Sequence, residues 1–423
     1  MSIGIDAVAA GPLGFFYRVY KFRLATGRFL GETTRRNCGQ QRRASRKVEG
    51  KRKFGMKVQF NRSALMDSLG IITSVVPSRT PKPILKCVRI EAQEACVHLY
   101  ATDLEVGIGC TLSEVKVLEQ GQIVLDAERL AAIVRESADD VLTLESQETT
   151  CEIRGADSHF TVYGQEVEQF PPVSAFAGDA DFEVHLEELK TGIRQCLFAT
   201  ARESSRYAIN GVLWEMTGKR LSLVATDGRR LAKTSVRLVS APSAEITSRT
   251  LIVPAKTMSL LDRLSTSEKN SVMIKLVGTQ ILFRCGEVMI TSNLVEGNFP
   301  KYDDIIPKDY DKRIMLPTEG VASAVRRASL LASEETKGIK LSFSDNTLTF
   351  SGRAPEAGAA EITMSIDYGG DPISVGFSPQ FLTDAFRVMK TDAFEMDLSQ
   401  PDRPGLIKSG SDFIYVLMPI NLA

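Results

Sequence analysis

The feature that most constrains the fold of this chain is the echo of one turn. The run Ala225-Thr226-Asp227-Gly228 interrupts an apolar stretch. Asp side chains bond back to the backbone and Gly adopts the dihedrals that a hairpin requires, so this run predicts a tight turn. A similar run, Ala101-Thr102-Asp103, lies 124 residues earlier in the same setting. One such turn is ordinary, but the echo indicates that the chain contains copies of one unit.

The same order of elements occurs three times after Met56. Each unit has a short strand, an amphipathic helix, several strands, a second helix and more strands. The first two units end in the similar runs Gln169-Phe170-Pro171 and Asn298-Phe299-Pro300, 129 residues apart. Alternating apolar and polar residues in the strands indicate antiparallel sheets with one covered face, which two helices per unit would cover. We therefore predict an α+β fold of three similar domains, at 56–177, 178–307 and 308–423.

The periodicity also predicts where the elements lie. The first helix contains the apolar face Leu65, Leu69, Ile72 and Val76, and further helices are predicted at 127–137, 186–201, 254–264, 318–332 and 379–389. Strands are predicted at 58–60, 84–90, 97–101, 106–112, 211–216, 221–225, 231–236, 339–343, 347–351, 361–366 and 413–419.

Residues 1–55 form a basic N-terminal extension that differs from the rest. They carry 13 Lys and Arg against 3 Asp and Glu, whereas the whole chain has 52 of each, so the remainder is acidic. They lack the apolar core and cleavage site of a signal peptide and any stretch able to span a bilayer. Three interpretations stay open: a disordered nucleic-acid-binding arm, a targeting segment, or sequence upstream of a true start at Met56. The regular pattern that begins at Met56 favours the third.

The reactive side chains argue against catalysis. Seven Cys without a C-x-x-C pair and three scattered His favour free thiols in a reducing cytosol over a disulfide framework, and provide no metal site. The chain has no phosphate-binding loop. Asp103 and Asp227 recur as catalytic acids would, but turn formation explains them with fewer assumptions. We predict a binding scaffold without cofactor, metal or catalytic residue; a Mg²⁺-dependent hydrolase is the alternative.

These features together resemble the bacterial DNA polymerase sliding clamp family, the β subunits of the replicative polymerase. The resemblance rests on the three repeats, the Ala-Thr-Asp turns, Asn210-Gly211, Phe299-Pro300 and the terminal run Val416-Leu417-Met418-Pro419-Ile420, and it covers residues 56–422. It implies a head-to-tail homodimer ring, with sheets outside and two helices per domain facing a hole for duplex DNA. It also implies a non-catalytic cytoplasmic protein, which confers processivity and binds DNA without sequence preference.

The resemblance implies three sets of site residues. A pocket between the second and third domains would bind short linear motifs of the polymerase catalytic subunit, the clamp loader and repair proteins; its residues would be Ile209, Thr226, Gly228, Arg229, Arg230, Leu231, Pro300, Ile305, Val416, Leu417, Met418 and Pro419. The DNA-binding residues would be Arg79, Lys82, Arg129, Arg202, Tyr207, Lys256 and Lys337. The dimer interface would contain Phe160, Val162, Leu330 and Leu331.

The chain departs from the family pattern at five positions. Asp304, Arg229 and Asn421 replace a basic residue, a His and an Arg around the pocket, which should shift the charge preference for docking motifs. Glu128 and Ala208 replace a basic and an aromatic residue where the family contacts DNA. A basic-arm nucleic-acid-binding protein, with its affinity in residues 1–55, is the remaining alternative.

Overall fold

The computed structural model describes residues 55–202, 207–265, 271–332 and 338–421. The expectations for residues 1–54 and for Lys337 lie outside these ranges. Within them, no helix combines the length and the apolar character needed to cross a membrane.

The helices come in one pair per domain, as predicted. Their bounds are α1 Arg62–Ile72, α2 Ala127–Glu136, α3 Leu186–Cys196, α4 Ala244–Thr247, α5 Ala255–Asp262, α6 Thr318–Ser329 and α7 Pro379–Phe386. α1 packs on α2, α3 on α5, and α6 on α7, while α4 is a single turn between strands. Side-chain caps start several of them: Asn61 accepts from two N–H groups of α1, and Asp126 and Ser378 accept from α2 and α7.

The strands divide among the three domains. The first domain contains β1 Gly55–Asn61, β2 Cys87–Ala92, β3 Val97–Thr102, β4 Val106–Leu112, β5 Val115–Glu119, β6 Gly121–Asp126, β7 Val141–Gln147, β8 Thr150–Arg154 and β9 His159–Tyr163. The second contains β10 Phe182–His185, β11 Gly211–Thr217, β12 Arg220–Thr226, β13 Arg230–Arg237, β14 Leu251–Pro254, β15 Ser271–Val277, β16 Gln280–Cys285 and β17 Val288–Asn293. The third contains β18 Lys312–Pro317, β19 Ile339–Ser344, β20 Thr347–Ala354, β21 Gly358–Ser365, β22 Ile373–Phe377, β23 Ala393–Leu398, β24 Gly405–Ser409 and β25 Phe413–Leu417.

Across the described ranges, all strand pairs are antiparallel, and they build four sheets. The strand orders are β5-β1-β7-β8-β9, β10-β15-β16-β17-β4-β3-β2-β6, β14-β11-β12-β13-β25-β24-β23-β18 and β21-β20-β19-β22. The two eight-stranded sheets cross domain boundaries: β17 pairs with β4 of the first domain, and β25 pairs with β13 of the second. Each domain thus has two groups of strands that pack against its pair of helices, and neighbouring domains share one continuous sheet.

Several predicted bounds were wrong at their ends. Residues 83–86 form a 3₁₀ turn and the strand starts at Cys87, because Pro83 fixes its own φ and provides no N–H for a ladder. The helix predicted at 186–201 ends at Cys196, where 3₁₀ hydrogen bonding takes over through Ala199. α6 and α7 end at Ser329 and Phe386, three residues early. The pattern also missed α4, β5, β6, β10, β14–β18 and β22–β24, and it gave no bounds for β7–β9.

Candidate functional site

The turn between β12 and β13 is held by its own side chains. The Thr226 hydroxyl donates to the Arg230 carbonyl oxygen at 2.7 Å and accepts from the Gly228 N–H at 3.1 Å. Asp227 Oδ1 accepts from the N–H groups of Arg229 and Arg230. Gly228 has a φ of 85°, in the left-handed region that glycine adopts at little cost. These bonds fix the turn and leave Arg229 exposed.

Arg230 ties this turn to two other parts of the chain. Its guanidinium donates to the carboxylates of Asp227 and Asp384 at 3.0 and 2.7 Å, and to the Phe198 carbonyl oxygen at 2.7 Å. The Phe381 ring centroid lies 4.3 Å from the guanidinium carbon. Burial acts to lower the pKa of Arg230, but the hydrogen bond to Asp384 and the nearby charges hold that pKa above its ordinary value. Arg230 is therefore a permanent cation that locks the turn to α7.

The shared strands β13 and β25 present two different faces. Leu231 lies opposite Val416 in the ladder, and both face an apolar cluster beneath the chain that links the second and third domains. This linker cluster consists of Ala208, Leu213, Val224, Leu231, Ile252, Tyr302, Leu406 and Val416. Leu417 points to the opposite face and is fully buried against the helices.

A polar network fastens the linker over this cluster. The buried Tyr302 donates its hydroxyl to the Glu215 carboxylate, and Lys233 Nζ donates to the same hydroxyl at 3.2 Å. Burial, followed by the hydrogen bond to Glu215, raises the pKa of Tyr302. Lys233 also lies 3.6 Å from the Asp303 carboxylate. The linker, residues 294–311 between β17 and β18, is thus bound by both apolar contacts and charge, and Pro300 and Ile305 flank Tyr302 near its middle.

The predicted pocket residues separate into an exposed group and a buried support. Met418 and Ile305 are 41% and 38% exposed, and the Met418 N–H donates to the Arg229 carbonyl oxygen at 2.9 Å. Gly228 is exposed as well, while Pro300 and Pro419 are half-buried. The buried members are Ile209, Thr226, Leu231, Val416 and Leu417. Sequence reasoning assigned all of them to pocket lining, but Leu417 is fully buried and the Arg230 side chain is bonded to Asp227, Asp384 and Phe198. It did not identify the contacts of Arg230 with Asp384 and Phe381 or the position of Tyr302 in the linker cluster.

The echoed turn in the first domain has the same hydrogen-bonding pattern and a similar positive φ at its third residue. Thr102 and Asp103 make the equivalent hydrogen bonds, and Leu104 takes the place of Gly228 with a φ of 82°. The ladder position equivalent to Leu231 is Gly107. A Cβ there would lie 2.8 Å from the Val173 side chain, so the first linker already fills this space. The two junctions share a turn and differ in the ladder residue that lies beneath it.

The candidate DNA-binding residues do not all present free charges. Arg79, Lys82, Arg129 and Arg202 are exposed, and Tyr207 is 39% exposed. Lys256 Nζ, however, donates to the Val75 carbonyl oxygen at 3.0 Å and to the Asp103 carboxylate. The Lys256 side chain therefore links the first two domains and is only partly exposed to solvent.

Further exposed basic residues lie along the helices and were missed. They are Arg135, Arg263, Arg326, Arg327 and Lys390. Each lies in or just after the last turn of a helix whose apolar stripe faces the core. That position relative to the stripe is a signal the sequence contained.

The candidate interface residues lie at two free sheet edges. In the described part of the chain no strand pairs with the outer side of β9 or of β21. Phe160 of β9 is 37% exposed and Leu330, just after α6, is 80% exposed. Leu331 is half-buried. Val162 is only 4% exposed and packs in the core of its own domain, so its side chain is not accessible to a partner.

The geometry gives no support to the hydrolase alternative. Asp103 is paired with Lys256, and Asp227 with Arg230. Among the described residues, no group of three or more His, Cys, Asp or Glu is arranged to hold a metal ion. The six described cysteines are free, and burial raises the pKa of Cys87 to about 11 and that of Cys151 to about 12, which keeps both as unreactive thiols.

Comparison with known proteins points in one direction. Three family models match in order: the N-terminal, central and C-terminal domains of the DNA polymerase III beta subunit, at residues 56–174, 183–301 and 303–421. The beta sliding clamp of Pseudomonas putida is 31% identical over 370 residues, covering 87% of this chain and 100% of that protein. The beta sliding clamp of Chlamydia muridarum is 27% identical, covering 87% and 99%.

Solved structures agree. The DNA polymerase sliding clamp of Pseudomonas aeruginosa superposes with a TM-score of 0.81 at 30% identity, covering 87% of this chain and 100% of that one. The clamp of Bacillus subtilis gives a TM-score of 0.82 at 26% identity, with the same coverage. The three family regions, in sequence order on a fold shared with solved clamps, place this chain in the DNA polymerase III beta subunit family, the non-catalytic sliding clamps of DNA replication.

Proposed function

We propose that two copies of this chain close head to tail into a ring around duplex DNA and tether the replicative polymerase in the cytoplasm. The observation that carries this proposal is the pair of free edges, β9 and β21. In the second and third domains the strands equivalent to β9 are β17 and β25, and both are paired across a junction. The strands equivalent to β21 are β4 and β13, which are their partners. A head-to-tail joint would pair the third set, β9 with β21 of another copy.

The two internal junctions also supply the register of that joint. Ile290 and Tyr415 hold equivalent places in β17 and β25, opposite Ile108 and Ala232. Phe160 holds the same place in β9, because it pairs with Ile153 as Ile290 pairs with Phe283 and Tyr415 with Ile407. On β21 the place of Ile108 and Ala232 belongs to Ala360, which pairs with Gly352. The joint therefore sets Phe160 opposite Ala360.

This register is sterically favourable. Phe160 is large and partly exposed, whereas the facing Ala360 is small, and Gly352 beside it packs directly against the end of α6, where a Cβ would lie 2.3 Å from the Ala328 carbonyl oxygen. Leu330 and Leu331 follow α6, and a Cβ on Gly352 would lie 3.3 Å from the Leu331 carbonyl oxygen, which places this apolar pair beside the same edge. Packing Phe160 between Ala360 and these leucines buries apolar surface on both chains.

A ring explains how an acidic body is held on DNA. The basic helix residues, Arg129, Arg135, Arg263, Arg326 and Arg327 among them, would face the hole and contact phosphates without reading sequence. Encirclement prevents escape, so these contacts need only be weak. Docking proteins would use the exposed apolar surface around Met418 and Ile305, above the support formed by Arg230 and the linker cluster.

Disulfide trapping tests both the ring and its register. The Asn293 N–H donates to Glu105 and the Thr111 N–H to Glu287, so Ile290 and Ile108 form a closely spaced, non-hydrogen-bonded pair. The variant with Phe160→Cys and Ala360→Cys should give a two-chain covalent product under mild oxidation. Each single variant should not. The matched control, Phe160→Cys with Ile362→Cys, is displaced by two residues and should cross-link far less. A full-length protein that stays monomeric at micromolar concentration contradicts the ring.

A further inference from the structure

One face of the sheet around β9 carries a row of charged side chains, and His159 lies at the end of that row on this edge strand. His159 pairs with Arg154 in the β8–β9 ladder, and His159 Nε2 lies 3.6 Å from the Glu152 carboxylate. Arg154 contacts Glu152 and also lies 3.8 Å from Glu145, which pairs with Lys57. The His159 side chain is 54% exposed, on the side of the ladder opposite to Phe160.

The same register identifies what lies across from His159. Its equivalents are Met289 and Ile414, which pair with Arg284 and Lys408 as His159 pairs with Arg154. At the two internal junctions these residues lie opposite Gly109 and Lys233.

The β21 residue in the place of Gly109 and Lys233 is Glu361, one position beyond Ala360. Glu361 is exposed and pairs within its own chain with the neutral Ser351. The basic Arg353 lies two residues further along β20. In a ring, therefore, the only titratable group directly opposite His159 on the partner edge is a carboxylate.

We infer that His159 and Glu361 of a second copy of this chain form a protonation-dependent pair that strengthens ring closure as pH falls. The inference rests on the proposed ring and adds a regulatory element to its joint. Protonated His159 lies between two carboxylates, Glu152 of its own chain and Glu361 of the partner. Neutral His159 leaves both without its charge, while Arg154 is already shared between Glu152 and Glu145.

The sign follows from linkage. Association adds a carboxylate beside His159 and so favours its charged form in the ring. The added affinity is present at acidic pH. It is lost as the pH rises from about 5 to about 8, the interval in which imidazole groups generally change charge. Glutamate remains ionised through most of this range. A cross-strand pair of opposite charges is expected to change the association constant up to about fivefold at each joint.

The test measures the dimer dissociation constant of the full-length chain by analytical ultracentrifugation between pH 5.5 and 8, at fixed ionic strength. The wild-type protein should associate more tightly at pH 5.5. His159→Gln should remove most of this pH dependence and Glu361→Gln should remove a similar part, and the double variant should lose no more than either single variant. His159→Arg should associate tightly across the whole range.

The outcomes separate this inference from the ring itself. A dimer with the trapped Phe160–Ala360 register, but with the same pH dependence in wild type and His159→Gln, overturns the histidine pair and leaves the ring intact. Additive effects of the two Gln substitutions also overturn it. Absence of any dimer at any pH overturns the proposed ring. Folding of each variant is checked by its thermal unfolding midpoint.

Discussion

At the scale of single residues, Arg229 and Arg230 have different surroundings within the proposed docking site. The sequence analysis assigned Arg230 and Arg229 to the same pocket, and nothing in the local sequence distinguishes the two arginines. The fold places Arg229 in solvent and gives Arg230 two carboxylates, a carbonyl oxygen and an aromatic ring. Asp384 and Phe381 lie more than 150 residues away along the chain, so no local pattern announces them. Side-chain partners that distant arise from topology, which periodicity alone does not determine.

This difference gives a matched pair of variants. Arg230→Met leaves Asp227 and Asp384 without their cation and should lower the free energy of unfolding by about 2–4 kcal/mol. Arg229→Met removes an exposed charge and should change it by less than about 0.5 kcal/mol. Urea unfolding of both proteins measures the effect. Equal stability of the two variants would show that the network around Arg230 contributes little.

Met418 provides the corresponding test of recognition. It is exposed, flexible and held beside Arg229 by its own backbone, which suits an adaptable apolar contact. Met418→Ala should weaken binding of the purified polymerase catalytic subunit by about tenfold, without changing the dimer. Surface plasmon resonance with the immobilised polymerase gives the affinity, and sedimentation gives the dimer. Met315→Ala, an exposed methionine on β18, is the control and should have no effect.

At the scale of elements, sequence reasoning succeeded where one residue type controls a local geometry. Thr102 and Thr226 are each followed by Asp, and each Thr-Asp pair closes its turn with the same pattern of side-chain to backbone hydrogen bonds. It failed at element ends, as at Cys196, where packing decides between α and 3₁₀ hydrogen bonding. It also treated the two turns as differing mainly in their exposed residues. The ladder position beneath the turn also differs, since Gly107 lies against Thr291 and Val173, whereas Leu231 packs its own side chain into the linker cluster with Tyr302.

The positive φ of Leu104 and Gly228 in these turns gives a further prediction about stability. Leucine at a φ of 82° is strained, since a Cβ in the left-handed region costs about 1–2 kcal/mol. Leu104→Gly should therefore raise the free energy of unfolding relative to Leu104→Ala, which removes the same side chain and keeps the strain. Gly228→Ala should lower it by about 1 kcal/mol, although a Cβ there would meet no atom within 4 Å. Urea unfolding compares the three, and the opposite order for Leu104 would exclude strain at this turn.

At the scale of the whole molecule, the repeat was the most informative part of the sequence. It predicted three domains of one kind with paired helices, and the family comparison and the fold confirm them. It did not specify which strands join neighbouring domains, because the pairing between β17 and β4 or β25 and β13 joins residues far apart in the chain. The two shared sheets provide the template for the register proposed between β9 and β21.

The linkers over the shared sheets have a mechanical consequence. Each internal junction is a strand ladder crossed by a covalent segment: Phe170 and Val173 cover the first, and Phe299 and Tyr302 the second. If a ladder of this kind parts, the tether keeps both edges at a high effective concentration and the ladder re-forms at once. In the proposed ring, the joint between chains would have a similar ladder but no tether. Such a ring would have, in each chain, two internal junctions that re-form readily and one joint to the other chain that can open. Duplex DNA without free ends would therefore enter the ring through the joint between chains.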